Sequence, residues 1–531
     1  MRMSSIAVAV AAVAVPAMLA GPVLAQKHGG ILKAYHRGTP PSASIHEEAT
    51  NSTTTPFMAV YNNLVIFDQH DPINTLETIQ PELATEWSWN DDGTELTFQL
   101  REGVRWHDGE AFTAEDVKYT WDLVLGRTEQ RLRKNPRTVW YWNLEDVEVN
   151  GDYEVTFKLG QPQPSFIALL ASGYSPVYPR HISPRQMRSN PIGTGPFKFD
   201  GMQQNEYVRF VRNDDYWDGD LPYLDGIEHT IIRSRSTRVL AFANGDFDLT
   251  FTTDVSVPLM RDVLEQAPEV QCDLVPTNVS TNLIVNRDDP PFDNENIRRA
   301  MALTIDRDAF IDILSEGHFD KGGALLPPPE GVWGLPTEKL EELPGYGPDV
   351  EASREQAREL MRAEGYSEDN PLNIKVSTRN IAIYRDPAVI LIDHLREVFI
   401  NAELEVIETA NWHGMVARKD YQVGLNLTGT GVDDPDVVFF EGYSCDSERN
   451  YTGYCNPEQE ELFREQSSMT DQEERQQLVW QIDEQLQRDE ARPLIYHSRN
   501  ATCYWPHVKN FRMMENSVYN GYRMADVWLD K

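Results

Sequence analysis

The chain has 531 residues, 84 of them acidic against 48 basic, for a formal charge of −36. Phosphate binding needs clustered Lys and Arg, so nucleic acid is excluded as a partner. The charge reads as a solvated acidic surface that keeps the protein soluble and monomeric.

Residues 1–25 carry Arg2, an apolar run over 6–19 and small residues ending at Ala25, the pattern of an export signal cut before Gln26. The run is about 14 residues, short of the ~20 a bilayer needs, and no later stretch is apolar for long enough. No cysteine lies near the cut, so no thiol is available for a lipid anchor. The mature chain is therefore expected to be periplasmic, with roughly 500 residues and room for about three or four domains.

Alternating residues predict strands at 97–100, 154–159, 207–211 and 227–232. Within WHDGEAFTAEDV, Asp108-Gly109 reads as a turn and Thr113 with Asp116 as a capping box. Val117, Trp121 and Val124 then fall on one helical face that Gly126 ends. His107 and Asp108 are adjacent, so their side chains diverge, and no HExxH, CxxC or GxSxG occurs anywhere. His46-Glu47-Glu48 lacks the second histidine of a zinc helix. No enzyme, metal or cofactor is expected.

After residue 290 helices become frequent. Ile297, Ala300, Met301 and Thr304 share a face, and Asp306 caps a second helix with Phe310, Ile313 and Leu314 inward. Residues 350–364 repeat the pattern and stop at Gly365. Asp386-Pro387 reads as a helix start, with Ala388, Ile392, Leu395 and Phe399 as its apolar face and a strand at 402–408 behind it. This alternation predicts an α/β lobe with a largely parallel sheet beside a strand-rich one. The four cysteines suit an exported protein, and Cys445 with Cys455 brackets a short polar loop read as exposed. Cys272 with Cys503 is the remaining intramolecular option, the alternative being two buried thiols.

FQLREGVRWHDGEAFTAEDVKYTW (98–121), NPIGTGPFKF (190–199), NDDYWDG (213–219), VNRDDPPFDNENIRRAMALTIDR (285–307) and HVKNF (507–511) together resemble the bacterial peptide and nickel solute-binding proteins that feed ABC importers. The resemblance, to family 5 of the extracellular solute-binding proteins, spans nearly the whole mature chain. It implies a type II periplasmic-binding, Venus-flytrap fold: α/β, two lobes, with an extra domain inserted in the first. Lobe I would comprise 26–61, 191–280 and 497–531, the inserted domain 62–190 and lobe II 281–496. A monomer would trap a solute between the lobes and present it to a membrane permease.

The resemblance also points to a ligand. Arg379, in KVSTRN, sits where dipeptide binders place a carboxylate-binding arginine, unless it forms a surface ion pair with Asp386 or Glu408. Peptide binders place an acid for the ammonium four residues before the proline of a loop like GTGVDDPD, and here that position is Gly431. Asp433 and Asp434 lie nearby, though Asp434-Pro435 also reads as an ordinary turn. Trp142, Trp333 and Trp412 are candidate flat surfaces, and Thr428 and Thr430 candidate hydrogen-bonding groups. The expected ligand is a peptide or peptide-like solute, with an oligosaccharide or opine-type solute as the alternative and an exported hydrolase as the reading from a different class.

Overall fold

The computed structural model describes residues 26–531; the export signal read over 1–25 lies outside the described residues. In the first half, Ile31–His36 lies parallel to Gly226–Ile231, which pairs antiparallel with Tyr207–Arg212, and that strand with Phe197–Gln203. A separate antiparallel sheet orders Ala84–Trp89, Glu95–Leu100, Glu154–Leu159 and Leu144–Gly151. Its strands alternate as their sequence predicts: Leu96, Phe98 and Leu100 are buried and Gln99 faces out. Helix Ala114–Val124 covers it, with the Trp121 ring 5.0 Å from Phe157.

The WHDG stretch is built into this frame. Asp116 accepts from the Thr113 N–H at 3.0 Å, completing the capping box, and from Trp106 Nε1 at 3.3 Å. His107 bridges to 193–195 through the Gly195 carbonyl at 3.0 Å and the Gly193 N–H at 3.3 Å. Burial pulls its imidazole down to about 4, so it stays neutral and structural.

The second half is organised by a five-stranded sheet in the order Ile400–Ile407, Leu372–Arg379, Val423–Gly429, Gln271–Val285, Leu494–Tyr504. The first three strands are mutually parallel, and Gln271–Val285 is antiparallel to both of its neighbours. The expected largely parallel sheet is therefore mixed, because two long strands run through from the first half. A second expectation also changes: the helix read as starting at Pro387 spans Ala382–Arg396, with Pro387 inside it. Its buried face is Tyr384, Pro387, Ala388, Leu391, His394 and Leu395, while Phe399 lies beyond its end at φ 66°. An N-terminal proline signal also fits a proline one turn further in, where only one ladder hydrogen bond is lost.

Cys272 and Cys503 face each other on the two long strands and are joined, as are Cys445 and Cys455. One apolar core underlies the first half, around Phe57, Phe98, Trp121 and Phe210. Another underlies the five-stranded sheet, around Leu283, Met301, Phe310 and Leu391. No described helix is long and apolar enough to cross a membrane.

Candidate ligand site

Between the two long strands the register breaks from Pro276 to Ser280, where Asn278 takes φ 46°, a conformation asparagine tolerates. Around this break lie three cavities that share Arg449. A narrow one of about 20 Å³ is lined by Asn278, Ser280, Thr428, Glu441 and Arg492. Another of about 40 Å³ takes Arg37 and Asn51 from the first half, Tyr519 from the C-terminal segment that packs in the first half's core, and Arg379, Tyr384 and His413 from the second. The widest, about 360 Å³, adds Glu47, Glu48 and Lys134.

Arg379 is 2% exposed, and its guanidinium donates to the Tyr384 hydroxyl at 2.8 Å and to Thr409 Oγ1 at 3.2 Å. Neither surface ion pair weighed for it forms; Glu408 instead accepts from Asn380. Arg37 donates to Asn51 Oδ1 at 2.7 Å and Thr253 Oγ1 at 3.2 Å. Arg492 donates to Thr428 Oγ1 and to the carbonyls of Gly442 and Arg449. Arg449 pairs with Glu441, whose other oxygen accepts from Trp140 Nε1 at 2.6 Å. Burial, then repulsion from Arg379, pulls the Arg37 guanidinium down to about 10. The same two causes push the His413 imidazole well below its usual range, so it is neutral.

The halves are closed on one another. Asp436, on helix Pro435–Tyr443, accepts from Gln163 at 2.8 Å and Ser165 at 2.6 Å, and from Gln466 and Ser467 on its own side. The Gly431 carbonyl accepts from Asn520 at 2.9 Å. A Cβ on Gly431 would stand 2.7 Å from Ser172 Oγ and 3.2 Å from the Trp140 ring, and one on Gly429 would meet the Tyr519 hydroxyl. Glycine is required at both places by close approach, not by backbone angle.

Of the residues singled out in the sequence, Arg379, Thr428 and Thr430 line these cavities. Trp142 packs its ring 5.1 Å from Phe440 across the closure. Asp433 is half-buried, with Asn278 Nδ2 at 3.5 Å, and desolvation pushes its carboxyl up to about 7. Three others serve the protein's own packing. Asp434 caps its helix at the Asp436 N–H and binds Arg475 through both oxygens, the ordinary-turn alternative. Trp333 lies under Arg475, and Trp412 is fully buried in an apolar cluster with its Nε1 on Asn426. The Cys445–Cys455 loop is not exposed as expected: Ser447, Arg449, Asn450 and Thr452 within it are buried, and it presents Arg449 to the site.

Sequence reasoning missed Arg37, His413, Arg449, Arg492 and Glu441. They come from five separate segments with no common motif. Only Arg449 carried a signal, as a lone cation inside a disulfide-bracketed loop.

The model of the bacterial extracellular solute-binding proteins, family 5 Middle, matches residues 78–450. The probable di/tripeptide-binding protein 5 of Pseudomonas aeruginosa (strain UCBPP-PA14) is 26% identical over 459 residues, covering 79% of this chain and 81% of the relative. The dipeptide binding protein from pseudoalteromonas sp. SM9913, solved in complex with Met-Leu, superposes with a TM-score of 0.83 at 20% identity over 94% of this chain and 100% of that one. The PBP AgaA from A.tumefacien R10, in complex with agropinic acid, superposes with a TM-score of 0.81 at 20% identity over 94% and 99%. The two-lobed architecture is thus the type II periplasmic-binding fold expected from the motifs, and the chain belongs to the bacterial extracellular solute-binding proteins of family 5.

Proposed function

We propose that this protein is the solute-binding component of an ABC importer, trapping a peptide or peptide-like solute between its lobes and delivering it to a membrane permease. It is exported by residues 1–25 and acts as a monomer. Lobe I comprises 26–61, 191–280 and 497–531, the inserted domain 62–190 and lobe II 281–496. The 84–159 sheet, which lies wholly within 62–190, supports that division. One observation carries the binding role: a buried guanidinium, Arg379, without an acidic partner among the described residues, facing a cavity walled by both halves. A dipeptide's carboxylate matches such a fork. An opine-type solute is the second reading, favoured by Gly431, which offers no acid for a peptide ammonium.

A ligand that binds only the folded form raises its unfolding free energy by RT ln(1 + [L]/Kd). A thermal-shift screen of di- and oligopeptides, opines and oligosaccharides tests the role. At least one class is expected to raise the Tm, with every solute recovered unchanged. Product formation would contradict the role.

A further inference from the structure

The two inner cavities set four arginines, Arg37, Arg379, Arg449 and Arg492, against one carboxylate, Glu441. Glu441 is already engaged by Arg449 and Trp140. Asp254, the acid whose field reaches Arg37, is held through both oxygens by Arg238. Arg379 and Arg492 are therefore buried, and Arg37 half-buried, each with only neutral hydrogen-bond partners among the described residues. The Nε atoms of all three, and both ring nitrogens of His413, have no hydrogen-bond partner among the described residues. Burying unpaired charge is costly, and a bound group of opposite sign relieves that cost.

The second cavity has no acid in its wall, so the only charged groups an ammonium would meet there are the cations Arg37, Arg379 and Arg449. Of the three acids of the outer cavity, Glu47 holds Arg188 at 2.9 Å, Glu48 holds Arg133 at 2.8 Å, and Glu448 is exposed to solvent outside the two inner cavities. Nor can an acid be supplied at Gly431, because the closed lobes leave no space for a Cβ there.

Building on the binding role above, we propose that the inner site selects solutes carrying close to two negative charges or more, on carboxylate or phosphate, and has no requirement for a free ammonium. Arg37 comes from the first half and Arg379 from the second, so they reach the ligand from opposite sides of the cleft. With the cleft closed and no anion between them they repel; an anion between them turns one repulsion into two attractions. Closure is thereby tied to the ligand's charge, since only interactions made in the closed state favour it. The inner cavities are narrow, so the ligand enters with the lobes apart and the guanidiniums close over it.

The test is calorimetric titration with N-acetyl-Asp-Glu, glycerol 3-phosphate, N-acetyl-Ala-Ala, Ala-Ala and Lys-Lys. One of the two multiply charged anions is expected to bind at least tenfold more tightly than the other three solutes, and which one leads distinguishes carboxylate from phosphate. Arg37→Gln and Arg379→Gln should each weaken that anion at least tenfold; either variant alone suffices if the other does not fold. Ala-Ala or Lys-Lys binding as tightly as both anions, or anion binding indifferent to both substitutions, would overturn the proposal while leaving the transport role standing. Silence of the protein toward these five probes and toward the whole thermal-shift library would overturn both.

Discussion

Arg379 is the residue on which sequence and structure converge. A lone arginine at the end of a parallel strand is visible in KVSTRN, but whether it faced a ligand or a surface acid depended on the fold. Its burial against Tyr384 and Thr409 sets aside the surface ion pair and supports the proposed ligand role. Arg379→Ala is expected to cost at least about 1.4 kcal/mol of affinity for an anionic solute, a factor of ten, with little change in the Tm of the free protein. Loss of free-protein stability with affinity retained would make the residue structural. Asp433 and Glu515 give a second prediction at this scale. Burial pushes their carboxyls up to about 7 and about 8, with Asp433 adding repulsion at Glu515. Because both native values exceed the unfolded ones, the native state keeps protons the unfolded chain has lost, and stability falls as pH rises toward 8. His229 and His497, lowered to about 4 by burial, act in the opposite sense but only below the unfolded histidine value. Urea unfolding between pH 7 and 8.5 isolates the acids. The double variant Asp433→Asn, Glu515→Gln should flatten the decline, and an unchanged slope would contradict the assignment.

At the scale of elements, the strands and most helices were legible because their periodicity is strong. Glu154–Leu159 is read to the residue, and Asp306 caps its helix through the Ala309 N–H at 3.0 Å. Elements were misread where a local signal has two uses, as at Pro387, or where a strand belongs to both halves, as in Gln271–Val285. The two disulfides have different tasks. Cys272–Cys503 ties the long crossing strands at a sequence separation of 231, for which chain entropy gives about 5 kcal/mol. Cys445–Cys455 closes a separation of 10, for about 2–3 kcal/mol, and fixes the loop that carries Arg449. Replacing both cysteines of the first pair by serine should lower the Tm most and leave ligand affinity nearly intact. Replacing the second pair should lower the Tm less and weaken solute binding. The reverse ranking in affinity would show that Arg449 does not depend on its loop.

For the whole molecule, the two-lobed plan could be read from long motifs in fixed order, each tied to backbone geometry that tolerates little change. The ligand could not be read in the same way. The cavity proposed for it is assembled from residues 37, 379, 413, 449 and 492, which no spacing rule connects and only the closed fold brings together. Closure joins Asp436 to Gln163 and Ser165 and Glu441 to Trp140, and Gly431 is one place where the halves leave no spare volume. Gly431→Asp should therefore hold the lobes apart and weaken binding, instead of creating a peptide-ammonium anchor. Small-angle scattering across a solute titration tests the central claim most directly. The wild-type radius of gyration should fall as the bound anion accumulates, with the Gly431→Asp variant staying at the larger value throughout. A wild-type profile that does not change at saturating ligand would mean that the lobes do not close around it.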